Sequence, residues 1–262
     1  MKIIDGKIIA RKILEHLKKF PKPEKKLVAF LAGDSAASES FLKQKKKIAD
    51  ELGIVFELRK FPRSVTEAEL YSEIAQASGD NSVGGVLVQL PLPEGINREA
   101  VLAGLTKEVD VDALSLESDV EPLAVGVVRS VLKEVGWHTE DKVIGVVGRG
   151  LLIGQPVAES FLGKAKDLII FHSKTDLDRI KECDLVIGGA GKPGLIKPEM
   201  LKEGAGFIDF GFGIKDGKVC GDLDGEAPWL DRLSFYTPTP GGTGPILVMQ
   251  LFYNFYRLNG GI

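Results

Sequence analysis

Apolar and polar positions run along this chain in two rhythms. Short stretches such as Lys26-Leu27-Val28-Ala29-Phe30-Leu31, Gly85-Val86-Leu87-Val88-Gln89-Leu90 and Lys142-Val143-Ile144-Gly145-Val146-Val147 are apolar at nearly every position. Such runs predict strands buried on both faces. Further strands are predicted around residues 54–60, 167–171, 184–187 and 206–211. Between them, apolar residues recur with a helical period over 10–20, 38–54, 66–77 and 127–135. Strands alternating with helices predict an α/β protein with mostly parallel sheets. A second unit is expected to begin near Pro122.

The helix over 38–54 holds one residue out of pattern. At about 100° per residue, Phe41, Lys45, Ile48 and Leu52 share a face, so Lys45 lies inside an apolar stripe. Lys43, Lys46 and Lys47 fall on other faces as solvated charges. A buried ammonium group is costly, and burial lowers its pKa toward the range useful in proton transfer. The other reading is a lysine at the edge of the stripe, stem packed and head in water.

Gln89 ends a strand that runs into Pro91-Leu92-Pro93, and proline cannot extend a central strand. Ligands of open parallel sheets bind beyond the carboxyl ends of strands, so Gln89 is a site candidate as well as a satisfied polar group. In the second unit a strand is followed by Gly148-Arg149-Gly150-Leu151-Leu152-Ile153-Gly154-Gln155-Pro156 and then a helix. Glycines at 148, 150 and 154 let a pyrophosphate approach backbone amides at the helix start, or make a simple tight turn. The next strands end in His172-Ser173-Lys174-Thr175 and Gly188-Gly189-Ala190-Gly191. At the position where an acidic residue would bind a ribose hydroxyl there is none. His172, Ser173 and Lys174, with Arg149, suit a 2′-phosphate, which favours NADP over NAD. His172 is equally readable as a strand-end histidine without a ligand, and no catalytic role is assigned to it.

Composition narrows the class. A chain of 262 residues, 44% hydrophobic and 27% charged, has ample material for a globular core. A formal net charge of −3 argues against a dedicated nucleic-acid or anionic-membrane partner. No apolar run is long enough to span a bilayer, and the first residues lack the apolar core of a signal peptide. Cys183 and Cys220 are too few for a disulfide scaffold or a four-thiolate site, and the three histidines are scattered. The expectation is a reduced, cytoplasmic protein without metal.

Several motifs occur together in order: S-x-x-F-x-x-x-K ending at Lys45, Val88-Gln89-Leu90-Pro91-Leu92-Pro93, Asp110-Val111-Asp112, Gly148-Arg149-Gly150, His172-Ser173-Lys174-Thr175 and Pro240-Gly241-Gly242-Thr243-Gly244-Pro245. From Ile4-Asp5-Gly6 to the last helix, the chain resembles the bifunctional methylenetetrahydrofolate dehydrogenase/methenyltetrahydrofolate cyclohydrolase family of the FolD type. The resemblance implies two α/β domains with a folate cleft between them, the second a Rossmann-like doubly wound parallel sheet. Residues 1–121, completed by the helix 244–262, would form the folate-binding catalytic domain, and 122–243 the NADP-binding domain. It implies oxidation of 5,10-methylenetetrahydrofolate with NADP or NAD and hydrolysis of the methenyl product to 10-formyltetrahydrofolate. It further implies a homodimer working in one-carbon metabolism and purine biosynthesis. The catalytic lysine matches Lys45, its orienting glutamine Gln89 and the pterin-binding aspartate Asp112. Phe41, Leu90, Pro91, Pro240, Gly241 and Gly242 would line the folate. Gly148, Arg149, Gly150, Gly154, Gln155, Pro156, His172, Ser173, Lys174, Gly189 and Gly191 would hold the nucleotide.

The departures cluster on the folate side. Phe41 stands where the family has tyrosine and Ala113 where it has glycine, while on the nucleotide side Gly150 replaces a serine. The segment 116–128 is short, keeping only Pro122-Leu123-Ala124-Val125-Gly126 of a longer loop. Thr243, Ile246 and Leu247 replace valine, methionine and threonine. Three other readings therefore stay open: a non-catalytic nucleotide-binding paralogue, a dehydrogenase with weak cyclohydrolase activity, and an NADP-dependent dehydrogenase of another small cyclic substrate.

Overall fold

The computed structural model describes residues 1–115 and 117–262. Leu116, the first residue of the shortened segment, lies outside them. In chain order the elements are β1 (Lys2–Ile3), α1 (Gly6–Leu17), β2 (Lys26–Ala32), α2 (Ala36–Leu52), β3 (Phe56–Phe61) and α3 (Glu67–Gly79). There follow β4 (Val83–Val88), α4 (Arg98–Leu102), α5 (Leu123–Val135), β5 (Val143–Val147), α6 (Gly154–Phe161) and β6 (Asp167–Phe171). The chain ends with β7 (Leu185–Gly188), β8 (Gly206–Asp209), β9 (Gly213–Lys215), β10 (Lys218–Cys220), β11 (Phe235–Tyr236) and α7 (Thr243–Leu258).

Contacts divide the chain into two units, Ile13–Pro122 with Val248–Ile262, and Met1–Lys12 with Leu123–Leu247. The first is built on the parallel sheet β3-β2-β4. Every residue of β4 is buried, as its unbroken apolar run requires. Val28, Phe30, Val86 and Val88 pack with Leu70, Ile74 and Ala77 of α3. That helix starts in a reciprocal capping box between Thr66 and Glu69. Asn259 Nδ2 of the terminal segment donates to the Gly84 carbonyl at 2.9 Å and ties it to the start of β4.

The second unit has a six-stranded parallel sheet in the order β1-β11-β8-β7-β5-β6. Strand order reverses at β5, which has β6 on one side and β7 on the other, so a topological switch point lies beyond its carboxyl end. Met1–Lys12 belongs to this unit in space although it comes first in sequence, because β1 pairs with β11. Immediately afterwards Gly6 packs on the backbone of Gly241 and Gly242. A Cβ on Gly6 would fall 1.6 Å from the Gly242 carbonyl oxygen, so only glycine fits.

Several elements depart from the sequence pattern. α1 starts at Gly6 rather than near residue 10, because the Asp5 carboxylate accepts the Lys7 N–H at 2.8 Å and caps it. β1 and β11 have two residues each, too few for any periodicity to register. The β9–β10 hairpin is exposed and turns on Asp216 and Gly217, both at positive φ. No helix among the described residues is long and apolar enough to cross a membrane.

Candidate functional site

α2 carries Lys45 and is fixed at both ends. The Ser35 hydroxyl accepts the Ser38 N–H at 3.3 Å, and Gly53, at φ +69°, terminates the last turn. Its fully buried residues are Ser38, Leu42, Ala49 and Leu52, a row with a gap where Lys45 stands. Phe41 and Ile48 flank that row, half-buried. The buried face is thus centred on Lys45 but turned away from the 41/45/48/52 stripe, since small Ser38 and Ala49 allow the helix close approach.

Lys45 Nζ donates to Gln89 Oε1 at 3.1 Å. Gln89 lies one residue past β4, its backbone N–H bonded to the Phe30 carbonyl at 2.9 Å and its Nε2 to the Leu90 carbonyl at 2.8 Å. With the amide nitrogen committed to a carbonyl, the oxygen is the atom left to face the lysine. The residue Lys45 is only partly buried by surface, but its ammonium end lies deep. Burial pulls its pKa below the ordinary lysine value, and the Asp112 charge opposes this more weakly. Burial pushes the Asp112 carboxyl up to about 6, with Lys45 lowering it and Asp110 raising it.

Asp112 is presented by a turn that its neighbour Asp110 closes. Asp110 is fully buried and bridges to Val86 of β4. Its Oδ2 accepts the Ser115 N–H at 2.7 Å. Ala113 takes φ +54°, the left-handed conformation that glycine adopts at least cost. Asn254 Nδ2 of α7 holds the turn from the other side through the Val111 carbonyl at 2.9 Å. Leu90 and Pro91, joined by a cis peptide, follow directly on Gln89. Lys45, Gln89 and Asp112 are therefore brought together although 67 positions of sequence separate the first from the last.

In the other unit Gly148 leaves β5 at φ +101°, where a Cβ would fall 2.7 Å from the Gly189 carbonyl oxygen. Only glycine fits this crossing of the loops after β5 and β7. Gly154 opens α6, and a Cβ there would meet the Gly148 oxygen at 2.1 Å. Gly150 faces open space. Gln155 and Pro156 lie in the first turn of α6, with Gln155 Nε2 bonded to Glu159 at 3.1 Å. Val147 pairs with Phe171, so Arg149 and the exposed turn His172-Ser173-Lys174 leave adjacent strands at one level. His172 Nδ1 accepts the Lys174 N–H at 3.2 Å, which shapes the turn. Pro240 follows a cis peptide, Gly241 stands at φ +103°, and the Gly242 N–H bonds the Pro238 carbonyl at 2.7 Å.

Two buried carboxylates left no mark in the motifs, Asp209 at the end of β8 and Asp222 after β10. The signal was present: Asp209 is a charge inside the apolar run 206–210, where an unpaired polar group is costly. Cys183 is fully buried with its thiol pushed up to about 12, an unreactive packing residue.

Known proteins resemble the chain over its length. The family model for the tetrahydrofolate dehydrogenase/cyclohydrolase catalytic domain matches residues 4–112, and that for the NAD(P)-binding domain of the same family matches 122–259. A bifunctional protein FolD of Bacillus subtilis is 36% identical, covering 96% of this chain and 95% of its own. The crystal structure of the bifunctional FolD methylenetetrahydrofolate dehydrogenase/cyclohydrolase from Campylobacter jejuni superimposes with a TM-score of 0.92 at 32% identity, over 99% of each chain. The FolD enzyme of Trypanosoma brucei, solved with NADP cofactor and inhibitor, gives a TM-score of 0.91 at 27% identity, over 98% of this chain and 97% of that one. With both halves matched and full-length relatives above 30% identity, the chain belongs to the tetrahydrofolate dehydrogenase/cyclohydrolase family.

Proposed function

We propose that this enzyme oxidises 5,10-methylenetetrahydrofolate with NADP and hydrolyses the methenyl product to 10-formyltetrahydrofolate, with Lys45 carrying the proton transfers. The observation that carries this reading is the desolvated Lys45 ammonium group bonded to a neutral amide. An uncharged partner orients the amine without restoring its pKa, as a carboxylate in the same place would. In its neutral form Nζ takes a proton from the water that attacks the methenyl carbon. Protonated, it returns one to the nitrogen that leaves as the ring opens, and the net reaction releases one proton. Asp112, ionising near 6, accepts hydrogen bonds from the pterin N–H groups. Phe41, Leu90 and Pro91, in the same unit as Lys45, supply the apolar surface for the pterin.

The turn after β5 suits a dinucleotide: Gly148 and Gly154 let the loop fold tightly onto the start of α6, and Gly150 puts no side chain into the open space where a pyrophosphate would lie. Bound there, NADP would supply the hydride acceptor of the oxidation. Gly148, Gly150, Gly154, Gln155, Pro156, Gly189 and Gly191 would hold its phosphates and ring, and Arg149, His172, Ser173 and Lys174 the 2′-phosphate. The paired lysine and glutamine disfavour a non-catalytic paralogue. We further place the enzyme in the cytoplasm, in one-carbon metabolism, its formyl product available to purine biosynthesis. Homodimerisation is supported by the exposed apolar Ile214 and Phe212 at the β9–β10 hairpin, and sedimentation at monomer mass would remove it.

The decisive assay supplies 5,10-methylenetetrahydrofolate and NADP and follows reduced cofactor and methenyl product separately. Wild type forms reduced cofactor, and the methenyl product decays faster than without enzyme. Lys45→Met lowers hydrolysis at least 100-fold, on the scale of a lost general base, while NADP binding stays. Unchanged hydrolysis by that variant would refute the assignment of Lys45.

A further inference from the structure

Asp222 is fully buried, and both of its carboxylate oxygens reach the loop that leaves β7. Oδ2 accepts the Ala190 N–H at 2.6 Å and Oδ1 the Lys192 N–H at 2.7 Å. The Asp222 N–H donates to Asp209 Oδ1 at 3.1 Å. Asp209 in turn accepts from Gly211 at 2.7 Å and Leu223 at 3.0 Å, so the two carboxylates interlock the segments after β7, β8 and β10. No slack remains: a Cβ on Gly211 would fall 2.3 Å from the Asp222 nitrogen, and one on Gly221 2.1 Å from Asp209 Oδ2.

Two buried acidic groups side by side are an expensive way to stabilise a fold. What they hold explains them. Gly188-Gly189-Ala190-Gly191 has no side chain larger than a methyl group, so it cannot fix its own shape by packing. The Asp222 fork supplies the restraint through backbone N–H groups, as strong charge-assisted bonds. The same loop forms the wall against which Gly148 packs, at the switch point of the sheet.

We propose that Asp222 is a positioning residue for the nucleotide: its carboxylate holds the loop 189–192 in the shape that receives NADP, and so sets nucleotide affinity without touching the reacting atoms. The inference rests on reading the glycine turn as the NADP site.

The test compares wild type, Asp222→Asn and Asp222→Ala in three measurements: NADP dissociation constant, dehydrogenase KM for NADP against kcat, and cyclohydrolase rate on methenyl substrate without nucleotide. Asparagine keeps the shape and one acceptor but turns an N–H toward a backbone donor. Both variants are expected to weaken NADP at least tenfold, with kcat changed less than threefold and hydrolysis unaltered. NADP affinity within twofold of wild type in folded Asp222→Asn overturns the proposal. So does a parallel fall of NADP binding and hydrolysis, or loss of folded protein in both variants, which would mark an ordinary structural role. Failure of wild type to bind NADP would instead remove the underlying site assignment.

Discussion

Lys45 interrupts a buried helical row between Leu42 and Ala49, and its surroundings decide what that costs. Gln89 satisfies one donor and brings no charge, so desolvation dominates. Gln89→Glu would place a carboxylate against the amine and stabilise its protonated form. Hydrolysis at pH 7 then falls about tenfold or more, and the rise of rate with pH moves to higher pH; an unmoved profile would mean that Gln89 does not govern the lysine. Asp112 makes the opposite test through stability. Its folded pKa, about 6, exceeds the ordinary value of 3.8, so its contribution to stability is full below pH 4 and lost as pH rises through 6. Asp112→Asn is therefore expected to stabilise the protein at pH 8, by roughly 1–3 kcal/mol, and to have little effect near pH 4. Thermal melts at the two pH values check this, and an equal gain at both would contradict it.

At the scale of elements, the turn 110–115 shows how nearby hydrogen bonds hold a backbone conformation that its own residue disfavours. Ala113 keeps φ +54° under the restraint of Asp110, which holds Ser115. An L-residue there costs about 1–2 kcal/mol, while glycine would lose about 0.5–1 kcal/mol through a freer unfolded chain. Relief of strain outweighs the lost entropy, so Ala113→Gly should raise the melting temperature by about 1–3 °C; a lower value would show that the turn is not strained. The long elements were legible because apolar runs and helical periods span many residues, as in β2, β4, α2 and α3. The start of α1, the two-residue strands and the β9–β10 hairpin were not. A single capping side chain or a two-residue pairing leaves no period to read.

Across the whole molecule, the proposed assignment gives the two chemical steps different residues, and substitutions should separate them. Arg149→Ala is expected to weaken NADP about tenfold and leave NAD unchanged, because the guanidinium matches a phosphate that NAD lacks. Titrations of both nucleotides measure it, and equal affinities in wild type would leave Arg149 without that role. Hydrolysis of the methenyl substrate, which needs no nucleotide, should be unaffected by Arg149→Ala and lost with Lys45→Met. What the sequence by itself determined is local: alternation of buried strands with helices, a lysine out of pattern, glycine turns at strand ends and the motifs of the family. Those follow from properties that act over neighbouring residues, namely side-chain periodicity, the freedom of glycine and the stiffness of proline. Only the tertiary structure decided that the first twelve residues join the later unit, that Asp110 closes the turn presenting Asp112, and that Asp209 and Asp222 interlock three loops. Each of these is a contact between distant segments, set by strand pairing and by buried carboxylates finding backbone donors, and no local pattern encodes such partners.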